Sequence, residues 1–215
     1  MSNSDSFIDE VTEEVRRDRL FATLRRYGWI GILAVLLLVG GAAFLEWRKA
    51  QATRAAQATG DAILATFGTT DEAARAEQLL AVPAGDARVV TALLAAADLQ
   101  AAGDGAGAVA ALQAVATDGD VDPVYRDLAA LKAAMIGGDD SLDDRRVALD
   151  ALAQPGRPFR LLAEEQLAYL EVAAGETEAA LVRLEAIAGD AEVTPNLRDR
   201  AESLIVALGG TPAAQ

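Results

Sequence analysis

The chain predicts an all-α fold, and three observations carry that prediction. An uncharged run of eighteen residues sits near the start of a chain in which 24% of residues are charged. Proline and glycine punctuation recurs every 35–37 residues in the second half. No alternating apolar–polar run long enough for a useful strand occurs anywhere. The expected architecture is a single N-terminal transmembrane helix followed by a domain of repeated helix pairs.

The leading tail, residues 1–26, reads as an amphipathic helix. Ser6 is a candidate N-cap, acids fill the first turns (Asp9, Glu10, Glu13, Glu14), and Phe7, Ile8, Val11 and Val15 recur at helical spacing. Leu20, Phe21 and Leu24 continue the apolar stripe toward the uncharged run.

That run, Gly28 to Leu45, lies inside a predicted span over 27–46. Eighteen residues at helical rise cover about 27 Å, close to the hydrocarbon thickness of a bilayer. Trp29 and Trp47, the two tryptophans of the chain, sit one at each end of it and Tyr27 joins the first, as an interfacial aromatic belt should. Arg25-Arg26 suggests a twin-arginine signal, yet 26 residues bearing six acidic side chains come first and Glu46-Trp47 offers no small-x-small cleavage site. The run therefore reads as a retained anchor. Arg16, Arg17, Arg19, Arg25 and Arg26 precede it; Arg48, Lys49 and Arg54 follow. Counting basic residues places the amino terminus in the cytoplasm and the long trailing domain outside it, in the periplasm of a bacterial cell.

Residues 47–82 read as linker helices. Glu46 to Phe67 is rich in Ala, Gln and Arg and continues out of the span, and Thr70 is expected to cap a short helix to about Ala81, before Val82-Pro83 breaks it. Beyond lies the repeat region, 83–215. Pro123, Pro158 and Pro195 each precede a helical pattern, as first-turn prolines do. Gly103, Gly138 and Gly175 share that spacing, and each is followed by an acid. A helix, a Gly-acid turn and a second helix repeated at this period is the tetratricopeptide layout. The expected units are about 88–116, 123–153 and 158–188, with a capping helix over 195–208 and a frayed end from Gly209 to Gln215. Ala108, Leu112 and Val115 sit at the same offsets from their glycine as Ala180, Leu184 and Ile187. The middle unit departs from the pattern, with Asp143 where the small residue should stand.

Composition narrows function. The chain has no His and no Cys, which removes Ser-His-Asp and Cys-His catalysis, zinc fingers, haem ligation and iron–sulfur clusters. Residues 51–215 carry twelve basic and twenty-six acidic side chains, so nucleic acid and anionic lipid headgroups would be repelled. Asp118-Gly119-Asp120-Val121-Asp122 resembles the opening of a calcium loop, but Pro123 stands where that loop needs glycine and Ala129 where it needs glutamate. The run Asp139–Asp144 reads as a loop and helix start, with Ser141 or Asp140 as cap. Glu164-Glu165 falls early in a helix, where acids suit the dipole, and Arg145-Arg146, Arg157 and Arg160 are expected to balance these acids. No catalytic, cofactor-binding or metal site is expected.

The chain as a whole resembles the YfgM-like ancillary subunits of the bacterial SecYEG translocon. The likeness lies in Tyr27–Ile63 (YGWIGILAVLLLVGGAAFLEWRKAQATRAAQATGDAI), Val89–Val115, Leu161–Ile187 and VTPNLRDRAESLI (Val193–Ile205). The opening SDSFIDEVTEEVRRDRLFATLRRYGW (Ser4–Trp29) is similar to the alphaproteobacterial type. The resemblance implies a non-enzymatic inner-membrane protein beside the Sec translocon, linking client polypeptides to periplasmic chaperones. The repeat pattern alone also accommodates a membrane-anchored scaffold for another envelope process, such as cell division, cytochrome maturation or outer-membrane assembly.

Overall fold

A computed structural model describes residues 3–83 and 85–212, with the side chains of 3–24, 27, 28 and 86 outside that description. The fold is all-helical, with nine α-helices and no strand among the described residues. The chain divides into two units between Ala58 and Thr59.

The first unit belongs to α1 (Asn3–Thr66). Backbone helix already at Asn3 means that Ser6 lies inside the helix and is not its cap. The apolar stripe expected of the tail lies outside the described side chains. Trp29–Thr66 contains an 18-residue window of mean hydropathy 2.2, none of it buried, so this stretch is a candidate membrane span. Leu36, Leu37 and Leu38 stand 63–75% exposed, which no core helix of a water-soluble domain shows. Phe44 and Trp47 pack their rings at 6.1 Å at the trailing end of the uncharged run.

The second unit contains the end of α1 and eight further helices. These are α2 (Glu72–Ala81), α3 (Arg88–Ala101), α4 (Gly105–Ala116), α5 (Pro123–Ile136), α6 (Leu142–Leu152), α7 (Arg160–Ala173), α8 (Thr177–Gly189) and α9 (Pro195–Ala207). From α2 onward each helix packs on the next in sequence, and α3 also touches α5. Residues 59–66 are not a mere linker. Ile63 packs on Ala76, Leu79 and Ala95, so the last turns of α1 form the first helix of the packed array.

Local chemistry explains the boundaries. Asp71, rather than Thr70, caps α2, its carboxylate accepting from the Ala74 N–H at 2.7 Å. Asp104 accepts from Gly107 N–H at 2.8 Å at the start of α4. Ser141 and Asp144 form a reciprocal capping box at α6. Pro123 and Pro195 occupy first-turn positions after the caps Asp122 and Thr194. Pro158 does not: α7 begins at Arg160 behind Phe159, which provides no side-chain cap. Gly103 and Gly175 take the left-handed conformation (φ 84° and 79°) that closes the first helix of each pair.

The units at 88 and 160 are related by an offset of 72 residues that holds through three helices. Helices α3 and α7 start and stop in register, and α5 and α9 both start on the matching proline. Buried positions coincide along it: Ala95 with Leu167, Ala96 with Ala168, Ala108 with Ala180, Leu112 with Leu184, Val115 with Ile187, Val121 with Val193, Ala129 with Ala201, and Ala133 with Ile205. Small residues at 96, 108, 168 and 180 let paired backbones approach closely, and the larger side chains fill the seams.

The middle pair is a real pair in a shifted register. Its turn carries two adjacent left-handed glycines, Gly137 and Gly138. The buried Leu149 and Leu152 show that Arg145, not Asp143, stands where Ala108 and Ala180 stand in the other pairs. Asp143 is exposed in the first turn of α6. Arg145 is accommodated because Gly137 has no side chain: an added Cβ would lie 3.1 Å from the guanidinium, which itself donates to the Ala134 carbonyl at 2.7 Å. Leu131 and Ala134 of α5 share one core with Leu149, Leu152, Ala163 and Leu167.

Helix α9 is the last helix of the described array, and its outer face, with Asp199, Ser203 and Val206, is exposed. Leu131 and Ala134, which α5 buries under the following helices, correspond to the exposed Ser203 and Val206. Of the expected frayed end, Gly209 takes φ 85°; residues 213–215 lie outside the described residues.

Candidate functional site

The buried charges of the domain are held by arginines. Asp127, Glu165 and Glu171 are the buried carboxylates among the described residues, and each has a guanidinium partner. Arg157 Nη1 donates to both oxygens of Asp127 at 3.0 Å. Arg200 grips Glu165 through Nε and Nη2, each at 2.7 Å. Arg183 holds Glu171 through Nε at 3.0 Å and Nη2 at 2.7 Å, while its Nη1 donates to Glu164. The two-nitrogen grips on Glu165 and Glu171 have the bidentate geometry that offsets the cost of removing both charges from water. The hydrogen bonds it donates to Glu171 push the Arg183 guanidinium further above its ordinary pKa against the opposing effect of burial. Among the described residues, every buried side-chain nitrogen or oxygen has a partner.

Several of these pairs differ from the sequence expectation. Glu164 and Glu165 do more than complement a helix dipole, since each holds an arginine from a later helix. Arg146 pairs with Glu176 at 3.0 Å, Arg157 with Asp127, and Arg160 with Asp190 and Glu192 at 2.9 and 2.8 Å. None of these three balances the Asp139–Asp144 run or Glu164-Glu165, and Arg145 instead donates to a backbone carbonyl. The Asp118–Asp122 segment is a loop held by its own turn. Asp118 accepts from Asp120 N–H and pairs with Arg88 at 3.1 Å, while Asp122 caps α5. Among the described residues no group of three or more acids is placed to hold a metal ion.

Arg88–Asp118 and Arg160–Asp190 are equivalent clamps, each joining the start of the first helix of a pair to the loop after the second. Asp190 is held below its ordinary pKa of 3.8, first by the Glu192 backbone N–H and then by the Arg160 guanidinium. A carboxylate depressed in the fold contributes stability above its unfolded pKa and loses it as pH falls through the lower folded value. The thermal midpoint of the native chain is therefore expected to exceed that of Asp190→Asn at neutral pH, with the gap closing below about pH 4. Melting curves at stepped pH check this, and a constant gap would contradict it.

Two of the grooves on the helical domain lie between helices that the 72-residue offset relates. One lies between α7 and α8, encloses about 600 Å³, and is lined by Leu161, Glu164, Glu171, Glu178, Val182 and Arg183 among others. The second, of about 200 Å³, lies between the first helices α3 and α5 and exposes Leu93, Ala97, Gln100, Lys132 and Met135. In the α7–α9 segment, the second copy of the 72-residue repeat whose first copy is α3–α5, the positions equivalent to Leu93, Ala97 and Lys132 carry Glu165, Tyr169 and Leu204. The Tyr169 hydroxyl there has its pKa raised by burial and by Glu165. The two repeats share a backbone plan and differ in what they present. Neither groove was apparent from sequence; the signal available was the pair Glu164 and Glu171, seven residues apart on one face of a helix, with Arg183 in the next helix.

No family model, curated protein or solved structure matches the chain.

Proposed function

We propose that this chain is a non-enzymatic, membrane-anchored protein–protein interaction module of the bacterial inner membrane, an ancillary subunit of the Sec translocon that links client polypeptides to periplasmic chaperones. The observation that carries the interaction reading is the 72-residue correspondence between α3–α5 and α7–α9, in helix bounds and in buried positions alike. Helix pairs that recur every 35–37 residues, two within each 72-residue offset, make a tetratricopeptide-like domain, and such arrays present extended surfaces to peptides and partner helices. The unburied apolar stretch of α1 supports the anchor, and the five-to-three excess of basic residues before it supports a cytoplasmic amino terminus with the repeats in the periplasm. Tethering holds the repeat surface near the translocon exit and raises its effective concentration there. The assignment to the Sec machinery rests on the resemblance to YfgM-like subunits.

Affinity purification of the full chain from detergent-solubilised membranes is expected to recover Sec components. Their consistent absence would sink the assignment. A reporter active only in the periplasm, fused after Gln215, is expected to be active. Silence with good expression would reverse the orientation.

A further inference from the structure

The α7–α8 groove is a local elaboration of the repeat. At the positions equivalent to Glu164, Glu171 and Arg183, the first repeat carries Ala92, Leu99 and Ala111. There the same helix pair closes with apolar and small side chains, so the helix pairing does not require the charges of the second repeat. In their place the second repeat has a half-buried guanidinium clamped between two carboxylates of α7, at a desolvation cost that the first repeat does not carry. Glu178 stands at the groove edge with no ion pair among the described residues, where the first repeat has Ala106. Val182, on the same wall, is 68% exposed. The lining carries four carboxylates (Glu164, Glu171, Glu178, Asp190) against two guanidiniums (Arg160, Arg183) over an apolar floor that includes Leu161 and Ile187.

We infer that this groove docks a basic amphipathic helix of a partner protein, a Lys or Arg of which pairs with Glu178 while its apolar side chains lie over Val182 and Leu161. The charge balance of the groove selects a cationic occupant, and its apolar floor selects a helix face with large aliphatic side chains. A groove of this volume accommodates the side chains of one to two helical turns. The inference rests on the reading of the domain as an interaction module, and it names the class of partner that one face of it takes.

The test uses the full chain in phosphatidylcholine nanodiscs and a fluorescent eighteen-residue Leu/Lys amphipathic peptide, with empty nanodiscs as the baseline. Glu178→Lys is expected to weaken binding about tenfold and Val182→Asn at least about fivefold. Raised salt should weaken binding to the native chain, and a Leu/Glu peptide of the same pattern should not bind. Ala106→Lys and Ala110→Asn, the equivalent changes in the first repeat, should leave affinity unchanged. All four positions are exposed, and unchanged melting midpoints verify that the variants fold. Equal affinity in native, Glu178→Lys and Val182→Asn chains, or equal binding of the Leu/Glu peptide, would overturn the inference. Such a result with Sec components still co-purifying would remove this groove alone; failure of the native chain to recover any partner would remove the wider reading.

Discussion

Deleting residues 28–45 is expected to move the chain from the carbonate-resistant membrane fraction into the soluble fraction, with near-complete release. At the centre of a span each leucine, isoleucine or valine favours insertion by roughly 0.3–0.6 kcal/mol, and the run offers nine of them without one charge. None of this window is buried within the protein, so its removal takes no packing from the helical domain. Two arginines at Leu36 and Leu37 should act in the same direction, each costing about 2.5–3.5 kcal/mol at the bilayer centre. Fractionation with immunodetection checks both variants. A deletion variant that stays with carbonate-washed membranes would show that some other segment holds the chain there.

Leu184→Ala is expected to destabilise the helical domain by about 2–5 kcal/mol, the range for deleting a buried leucine side chain where the surroundings cannot collapse. Leu184 is fully buried, in a core with Ala168, Ile187, Leu197 and Ile205 that joins α7, α8 and α9. Leu112, its equivalent 72 residues earlier, is 1% exposed and occupies the matching seam of α3, α4 and α5. The same substitution there should give a loss within about 1–2 kcal/mol of the first, since the two sites share burial and neighbouring small residues. Urea titration measures both. A large loss at one site with none at the other would break the equivalence of the two repeats.

Much of the fold was legible because its signals are local. An uncharged run flanked by tryptophans, and glycines that end helices in the left-handed conformation, are decided by the residues themselves and their immediate neighbours. What was not legible depends on register and distance. Counting from Gly138 put Asp143 at the small-residue position, whereas the longer turn through Gly137–Ser141 moves Arg145 there and requires the missing side chain of Gly137. Pro158 shared the period of Pro123 and Pro195 yet lies outside its helix, so even spacing did not guarantee equivalent roles. The last turns of α1 read as linker because one helix was divided by composition, while Ile63 joins the core through contact with later helices.

The ion pairs were hidden for a related reason. Arg146–Glu176, Arg157–Asp127 and Arg160–Asp190 are each separated by 30 residues, shorter than the repeat period, because each bridges points that only the stacking brings together. A search for opposite charges at that spacing would have found them once the repeat was known. The α7–α8 groove needed both repeats in register before its charges stood out against Ala92, Leu99 and Ala111. The site is thus less legible than the fold because it lies in the differences between two similar units.

The most direct test of the central claim places a photoreactive amino acid at Met135, half exposed in the groove between α3 and α5, and crosslinks it in living cells. The account predicts adducts with Sec components, periplasmic chaperones or translocating clients, lost when residues 28–45 are deleted. Efficient crosslinking only to proteins unconnected with secretion, or adducts unchanged by that deletion, would contradict it.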